Sequence, residues 1–530
     1  MNHQTDGVTP THSPASARRG IVRAATVIAA GNVVSRLLGL VRETVIAALF
    51  GATGLVSAFR VAAIVPTMIY DLLVGGMLSS ALVPVFSEYA ARENREALWR
   101  LVSAMVSVAA IVLGALLILI ELFAPTVAWL LSSGFDPGLL AITARLIRIL
   151  APAVVFFGCS GVITGLLYTL HRFRYPAFGA AIYNAGLIIA ALTLHRRFGI
   201  EALAIGVLFG SLLQLLVLVP DLRDARLHLS LALRHPGLRL IMRLYVPIAV
   251  GLVISQLAII IDRNLASHTG PQSIAWMQYA TTLIQFPLGL VSAAISLAVL
   301  PSLSKLAATN DLAGYKATLA TGLRLVIVLI VPATVGLFVL SRPVVALIFQ
   351  HGDFGPADTV QTAAALRVYL IGLSFAAIDQ PLIFAFYARQ DTWTPALVGV
   401  AGVLLYLVVA LSLVGQWGML ALVFANSVQL TGHALIMLVL LWRRLGDLGG
   451  HGLPKLLGQT VLASSIMGAV AWAILRVVGS GGEAFILTLG RVALPGLGGI
   501  IAYGLLLTVL QVNEARDGWR LARQWMGNLL

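Results

Sequence analysis

The sequence predicts an all-α polytopic membrane protein with about 14 transmembrane helices. They are expected as two pseudo-symmetric six-helix lobes plus two C-terminal helices. Three observations predict this class: a scarcity of charge, a series of membrane-length apolar stretches, and a repeat of the chain within itself. Of 530 residues, 59% are apolar and only 11% charged, and mean hydropathy is +0.96. An average soluble domain carries roughly 25% charged residues. A water-soluble fold could not hide so much apolar surface. Disordered, collagen-like and disulfide-rich secreted classes are excluded, and the single Cys159 reads as a small buried apolar residue.

The apolar stretches run over 22–50, 56–82, 99–123, 138–169, 176–195, 199–219, 243–267, 272–299, 313–339, 358–386, 393–414, 418–442, 455–477 and 491–512. Residues 1–20 are polar and rich in Ser, Thr and Pro, and read as a disordered cytoplasmic tail. Residues 513–530 place Trp519, Leu521, Trp525 and Leu529 among Arg516, Arg520 and Arg523, an interfacial amphipathic pattern. The first apolar stretch is too long for a signal-peptide core and stays as helix one.

Charge fixes the orientation. Net charge is +14, and of 35 basic residues only Lys305, Lys316 and Lys455 are not arginine. The N-terminus, even-numbered connections and C-terminus hold 23 of them. The odd-numbered connections hold five: Arg196, Arg197, Arg342, Arg476 and Arg491. Both termini are therefore expected in the cytoplasm. The basicity is read as topology and attraction to anionic lipid rather than as nucleic-acid binding, for which there is no motif.

The chain also resembles itself at an offset of 217 to 220 residues. SRLLGLVRE from 35 matches SQLAIIIDR from 255. ALVPVFSEYA from 81 matches LAVLPSLSKLA from 297, FAPTVAWLL from 123 matches SRPVVALIF from 341, and YTLHRFRYPA from 168 matches YARQDTWTPA from 387. Four anchors in one order define two parallel repeats, an N-lobe over 21–235 and a C-lobe over 236–445. The spans in 446–512 stand outside them. Transporters use such lobes with a substrate site between them near the membrane midplane.

Ionisable groups within the spans are costly and mark function by default. Helix one carries Ser35, Arg36, Arg42 and Glu43, with Arg36 and Glu43 seven residues apart on one stripe. Helix two adds Arg60 and Asp71. Helix seven carries Asp262 and Arg263, which align with Arg42 and Glu43 with the signs exchanged. Arg145, Arg148, Arg367 and Asp379 complete the set. A cationic site for an anionic, phosphate-bearing substrate is one reading, since arginine forks phosphate bidentately. Inter-helix ion pairing, and snorkelling for Arg145 and Arg148, is the alternative. Walker A, HExxH and Cys/His zinc patterns are all missing, so neither a cofactor nor enzymatic chemistry is expected. Membrane potential or a monovalent cation is left as the driving force.

The segments SRLLGLVRETVIAALFG from 35, LVPVFSEYA from 82, IIIDRNLAS from 259, VLPSLSK from 299, LIFQHGDF from 347 and AFYARQDTWTP from 385 resemble the MurJ (MviN) family of lipid II flippases. That family lies within the MOP superfamily. The resemblance implies a multi-pass protein of the bacterial inner membrane. Its activity would be to move the undecaprenyl-pyrophosphate-linked peptidoglycan precursor, lipid II, to the outer leaflet by alternating access. It also implies that Ser35, Arg36, Arg42 and Glu43 match a conserved motif whose arginines meet pyrophosphate, and that the last two helices form a groove for the lipid tail. Three charges of the family pattern are replaced, at Ser57, Asp71 and Thr282, where Arg60 or Arg263 could compensate. Two further functions therefore stand beside the first. One is a flippase for another polyprenyl-diphosphate-linked glycan, and the other is a degenerate homologue acting as a scaffold for cell-wall synthases.

Overall fold

The computed structural model describes residues 14–72, 77, 81–91, 95–223, 225, 228, 235–446, 450, 452–479 and 485–514. The amphipathic segment expected at 515–530 and the first thirteen residues of the expected tail lie outside them. Helices form because every peptide group in hydrocarbon must find its partner within its own segment. In chain order they are α1 (Pro14–Phe50), α2 (Gly54–Tyr70), α3 (Val83–Ala91), α4 (Arg95–Ser132), α5 (Pro137–Leu150), α6 (Ala153–Thr169), α7 (Arg174–Phe198), α8 (Glu201–Leu216) and α9 (Pro236–Ser267). There follow α10 (Ser273–Pro287), α11 (Ala293–Ala308), α12 (Leu312–Val339), α13 (Ser341–Phe349), α14 (Pro356–Ala388), α15 (Trp393–Trp417), α16 (Met419–Leu445), α17 (Leu453–Val478) and α18 (Phe485–Val509).

Among the described residues, eleven helical stretches are long and apolar enough to cross a membrane. The other three predicted spans are α1, α2 and α9. Of these, α1 carries Arg36, Arg42 and Glu43, and α9 carries Asp262 and Arg263. Outward-facing apolar side chains are frequent: Leu122 is 68% exposed on α4 and Val408 64% on α15. Such faces suit lipid and would aggregate in water.

The sequence repeat is written into the helix boundaries. Helices α7 and α15 both have 25 residues and start 219 residues apart, at Arg174 and Trp393. Each ends on a glycine with positive φ, 55° at Gly199 and 52° at Gly418, a geometry only glycine adopts without strain. The turn before each holds His171 (φ 58°) and Gln390 (φ 60°). Prolines account for the departures from the sequence-based spans. The stretch 138–169 breaks at Pro152 into α5 and α6, whereas its counterpart α14 runs on because Ile371 stands 219 residues after Pro152. The stretch 272–299 is split by a π-helical turn, Leu288–Ser292. Helix α4 passes through Pro125 to Ser132, while α12 stops before Ser341. Helix α1 begins inside the expected tail, with Pro14 at its first position followed by helix-forming Ala and Arg.

The described chain packs as two compact units. The first holds Met1–Arg42, Ala62–Ala124 and Ala144–Val253. Within it α1 lies hard against α7. A Cβ on Gly31 would stand 2.1 Å from the Ala177 carbonyl oxygen, so only glycine permits the approach. The second unit holds Glu43–Val61, Pro125–Thr143 and Ile254–Leu530. Its core joins Leu303, Tyr315, Leu319, Leu382, Phe386 and Met437 from α11, α12, α14 and α16. Tyr315 donates to the Ala385 carbonyl at 2.5 Å, satisfying a group near the end of α14. Helices α17 and α18 attach to α12, with Tyr503 donating to the Val328 carbonyl at 2.7 Å and Arg324 paired with Glu514.

Candidate functional site

The close approach of α1 and α7 in the first unit fixes the first charged group. Arg42 Nη1 donates to Asn184 Oδ1 at 2.8 Å, and Asn184 Nδ2 donates to the Ser35 carbonyl at 3.1 Å. Asn184 is only 6% exposed, so its amide is desolvated and holds one orientation. It ties the arginine to the backbone nearly two turns earlier on the same helix. Ser35 and Arg42 are half-buried, and Arg36 is exposed. The stripe shared by Arg36 and Glu43 therefore changes environment along its length, because Glu43 is 1% exposed.

Glu43 enters the second unit, where it meets Arg60 of α2. The guanidinium grips the carboxylate with two hydrogen bonds, Nη1 to Oε1 at 3.1 Å and a shorter one from Nη2 to Oε2. The cation also lies 5.9 Å from the ring centre of Tyr279. Tyr279 is fully buried, donates to the Gly51 carbonyl at 2.9 Å, and packs on Phe349 and Phe354. A buried ion pair of this kind holds only while both partners remain, since either ion alone would be an uncompensated charge. The geometry makes Glu43 and Arg60 a clamp between the end of α1 and α2.

The second repeat answers with its own contact. Tyr406 of α15 donates to Asp262 Oδ1 of α9 at 2.5 Å, and Arg263 Nε lies 3.8 Å from Asp262 Oδ2. Helices α9 and α15 are the counterparts of α1 and α7. Each repeat thus joins its first helix to its fifth by one charged-to-polar hydrogen bond, Arg42 to Asn184 in one and Asp262 to Tyr406 in the other.

The remaining charges fall differently. Arg145 pairs with Glu201 at 3.2 Å and Arg148 stands 4.0 Å from Glu121, both with much of the side chain exposed, as snorkelling groups do. Arg367 donates to Ser341 Oγ at 2.7 Å. Asp379 meets His433 at 2.8 Å inside the helix bundle of the second unit. At the three replaced family positions, Ser57 Oγ accepts from the Ala275 N–H, Thr282 donates to the Gln278 carbonyl, and Asp71 is exposed. Asn184, Tyr279, Tyr406 and His433 went unread in the sequence. The signal was there for Asn184, an amide inside YNAGLIIAAL, a run otherwise fit for hydrocarbon. Chemically, half-buried Arg42 and exposed Arg36 supply permanently charged forked donors suited to a phosphate.

A family model described as "Lipid II flippase MurJ" matches residues 46–490. Among the curated proteins the chain is similar to, the lipid II flippase MurJ of Burkholderia cenocepacia is 34% identical over 395 residues, 73% of this chain and 76% of that one. A probable lipid II flippase MurJ of Vibrio cholerae is 29% identical over 475 residues, 85% of this chain and 89% of that one. A solved structure of lipid II flippase MurJ in an inward closed conformation superposes with TM-score 0.78 at 24% identity, covering 92% of this chain and 99% of that one. An inward-facing MATE-family multidrug transporter of the MOP superfamily superposes with TM-score 0.65 at 14% identity, covering 78% of this chain and 96% of that one.

Proposed function

The chain belongs to the MurJ family of lipid II flippases, and from that premise we propose that it carries lipid II from the inner to the outer leaflet of the bacterial inner membrane by alternating access. On this reading it is a transporter, with both termini cytoplasmic as the charge bias suggests. The repeats 21–235 and 236–445 are its two moving lobes, and 446–512 accommodates the lipid tail. The observation that carries the proposal is the Arg42–Asn184–Ser35 chain on α1. A membrane-length helix has no structural need for a half-buried arginine held ready by a buried amide.

In this proposal Arg36 and Arg42 take the diphosphate. Ser35 shares the anchor that orients Arg42. Glu43 and Arg60 are positioning residues that fix the end of α1, and Asp262 and Arg263 are the matching charged pair of the second repeat. An inside-negative potential favours outward movement of an anion by about 2.3 kcal/mol per charge per 100 mV. That bias is a driving force that needs no nucleotide. A second reading keeps the chemistry and changes the sugar, to another polyprenyl-diphosphate-linked glycan. The specific observation for it is Thr282, bonded to its own helix where the family resemblance places an arginine.

The test is growth of a strain depleted of its lipid II flippase. The wild-type chain should restore growth. R36A should not, while reaching the membrane at the same level. Normal growth with R36A removes Arg36 from the mechanism, and failure of the wild-type chain favours the second cargo.

A further inference from the structure

The substrate reading leaves one buried titratable pair without a role. Asp379 of α14 and His433 of α16 approach to 2.8 Å between carboxylate Oδ2 and imidazole Nδ1, and Asp379 is only 8% exposed. The other carboxylate oxygen, Oδ1, is buried with no hydrogen-bond partner. An ionised carboxylate in that position is tolerable only beside a proton or a cation. The surroundings supply little else. On α15 the imidazole faces the Pro395 carbonyl and Gly402. From α12 and the π-helical turn come Val326, Ile330, Leu288 and Val291, packed around the neighbouring Ala377 and Ile378.

The ionisable side chains on those elements are engaged elsewhere or lie well along the helix. Arg324 binds Glu514, Tyr315 binds the Ala385 carbonyl, Tyr406 binds Asp262, and Arg444 binds Asp391. Arg367 binds Ser341 three turns away. Lys316 lies near the start of α12, Arg389 follows the end of α14, and Arg443 sits in the last turn of α16.

The pair also sits at a weak point of the backbone. Pro381, two residues after Asp379, has no N–H for the Ala377 carbonyl. That carbonyl instead accepts from Ser292 Oγ at 2.6 Å, and Ser292 closes the π-helical turn Leu288–Ser292. A proline interruption packed on a π-turn is where a helix pair can bend at low cost.

From this juxtaposition we infer that Asp379 and His433 form a proton-binding site whose loading biases the bend in α14. One proton taken from water neutralises the pair's excess negative charge and permits its burial. Loss of that proton leaves a bare carboxylate, which favours a conformation that admits water. The ligand is a proton, and the consequence is a pH-gradient contribution to transport. That consequence rests on the flippase reading, whereas proton binding itself does not.

The test has two arms. In the first, purified protein in lipid nanodiscs is titrated between about pH 5 and 8 while infrared difference spectra follow the carboxyl and imidazole bands. Wild type should show a coupled carboxyl–imidazole signal that disappears in both D379N and H433Q, with D379E restoring it. The same signal in D379N as in wild type overturns the site. In the second arm, vesicles carrying the protein and lipid II are held at zero potential under a one-unit pH gradient. The gradient should change the wild-type translocation rate by up to about tenfold, the factor that one pH unit represents, and should leave D379N and H433Q unchanged. Wild-type translocation that ignores the gradient overturns the coupling and leaves the flippase reading standing. Absence of wild-type translocation counts against the flippase reading, and the spectroscopic arm still decides proton binding.

Discussion

Breaking the Glu43–Arg60 pair from one side should cost far more than removing it whole. Arg60→Ala leaves Glu43, 1% exposed, with an uncompensated carboxylate among Phe59, Tyr279 and the end of α1. Glu43→Ala leaves a guanidinium of which Nε already has no hydrogen-bond partner. Stranding one member of a buried pair costs about 3–5 kcal/mol, and an apolar pair of similar volume is often neutral or better. The exposure of 10% for the Arg60 side chain keeps solvent screening small, so the upper part of that range applies. The assay is unfolding of the purified protein in detergent for R60A, E43A and the double variant E43L/R60M, read as a double-mutant cycle. Both single variants should lose stability, the double variant should recover most of it, and the coupling should be about 3 kcal/mol or more. A cost for R60A below about 0.5 kcal/mol, the range of ordinary surface changes, would refute the clamp. So would a double variant worse than the two singles summed.

Other perturbations have equally definite outcomes. Asn184→Leu takes the acceptor from Arg42 and the donor from the Ser35 carbonyl, a loss of about 1.5–3 kcal/mol for a hydrogen bond to a charged group; flippase complementation should weaken at least tenfold in the expression level it needs, and unchanged growth would refute the anchor. Gly31→Val drives a side chain into the Ala177 carbonyl, so membrane yield and melting temperature should both fall, by about 1–3 kcal/mol in stability; a wild-type melt would show that α1 and α7 do not pack this closely. Tyr406→Phe should leave Asp262 short of its hydroxyl donor and lower stability by about 1–3 kcal/mol, seen in the same unfolding assay. Asp391, in the connection before α15, is held down to a pKa of about 2 by the Thr394 backbone N–H, with further help from the Thr394 hydroxyl and Arg444. Its folded value lies below its unfolded one, so the stabilisation is full above about pH 4 and fades as pH falls toward 2; D391N should flatten that part of the melting curve, and an equal slope in both proteins would refute the assignment.

The membrane itself made much of the fold legible. Each span must be apolar over its length, so α12, α15, α16 and α17 fall close to the stretches read from hydropathy. The repeat was legible because turn residues such as Gly199 and Gly418 sit at fixed offsets. Local backbone events were less so. Pro152 breaks a helix, yet Pro125 is accommodated inside α4, and the difference lies in what packs around each. The π-turn Leu288–Ser292 has no sequence mark, since it is set by Ser292 serving the carbonyl that Pro381 leaves unpaired.

At the site, the charged residues announced themselves because hydrocarbon makes each one costly. Their partners did not. Asn184 lies 142 residues from Arg42 and Tyr406 lies 144 from Asp262, and periodicity along one helix says nothing about which neighbour it meets. Glu43 and Arg36 share a stripe, but only tertiary packing decides that one is sealed among aromatics while the other stays open. His433 read as one of several scattered histidines until α14 brought a buried carboxylate beside it.

The central claim is that arginines on α1 move a lipid-linked diphosphate across the bilayer. Its most direct measurement is leaflet-resolved translocation of lipid II in vesicles containing the purified chain, with an imposed inside-negative potential. The account predicts potential-dependent movement by the wild-type protein and its loss in R36A and R42A, with all three proteins equally folded and inserted. Equal movement by wild type and both variants, or none by wild type while another polyprenyl-diphosphate glycan crosses, would contradict it.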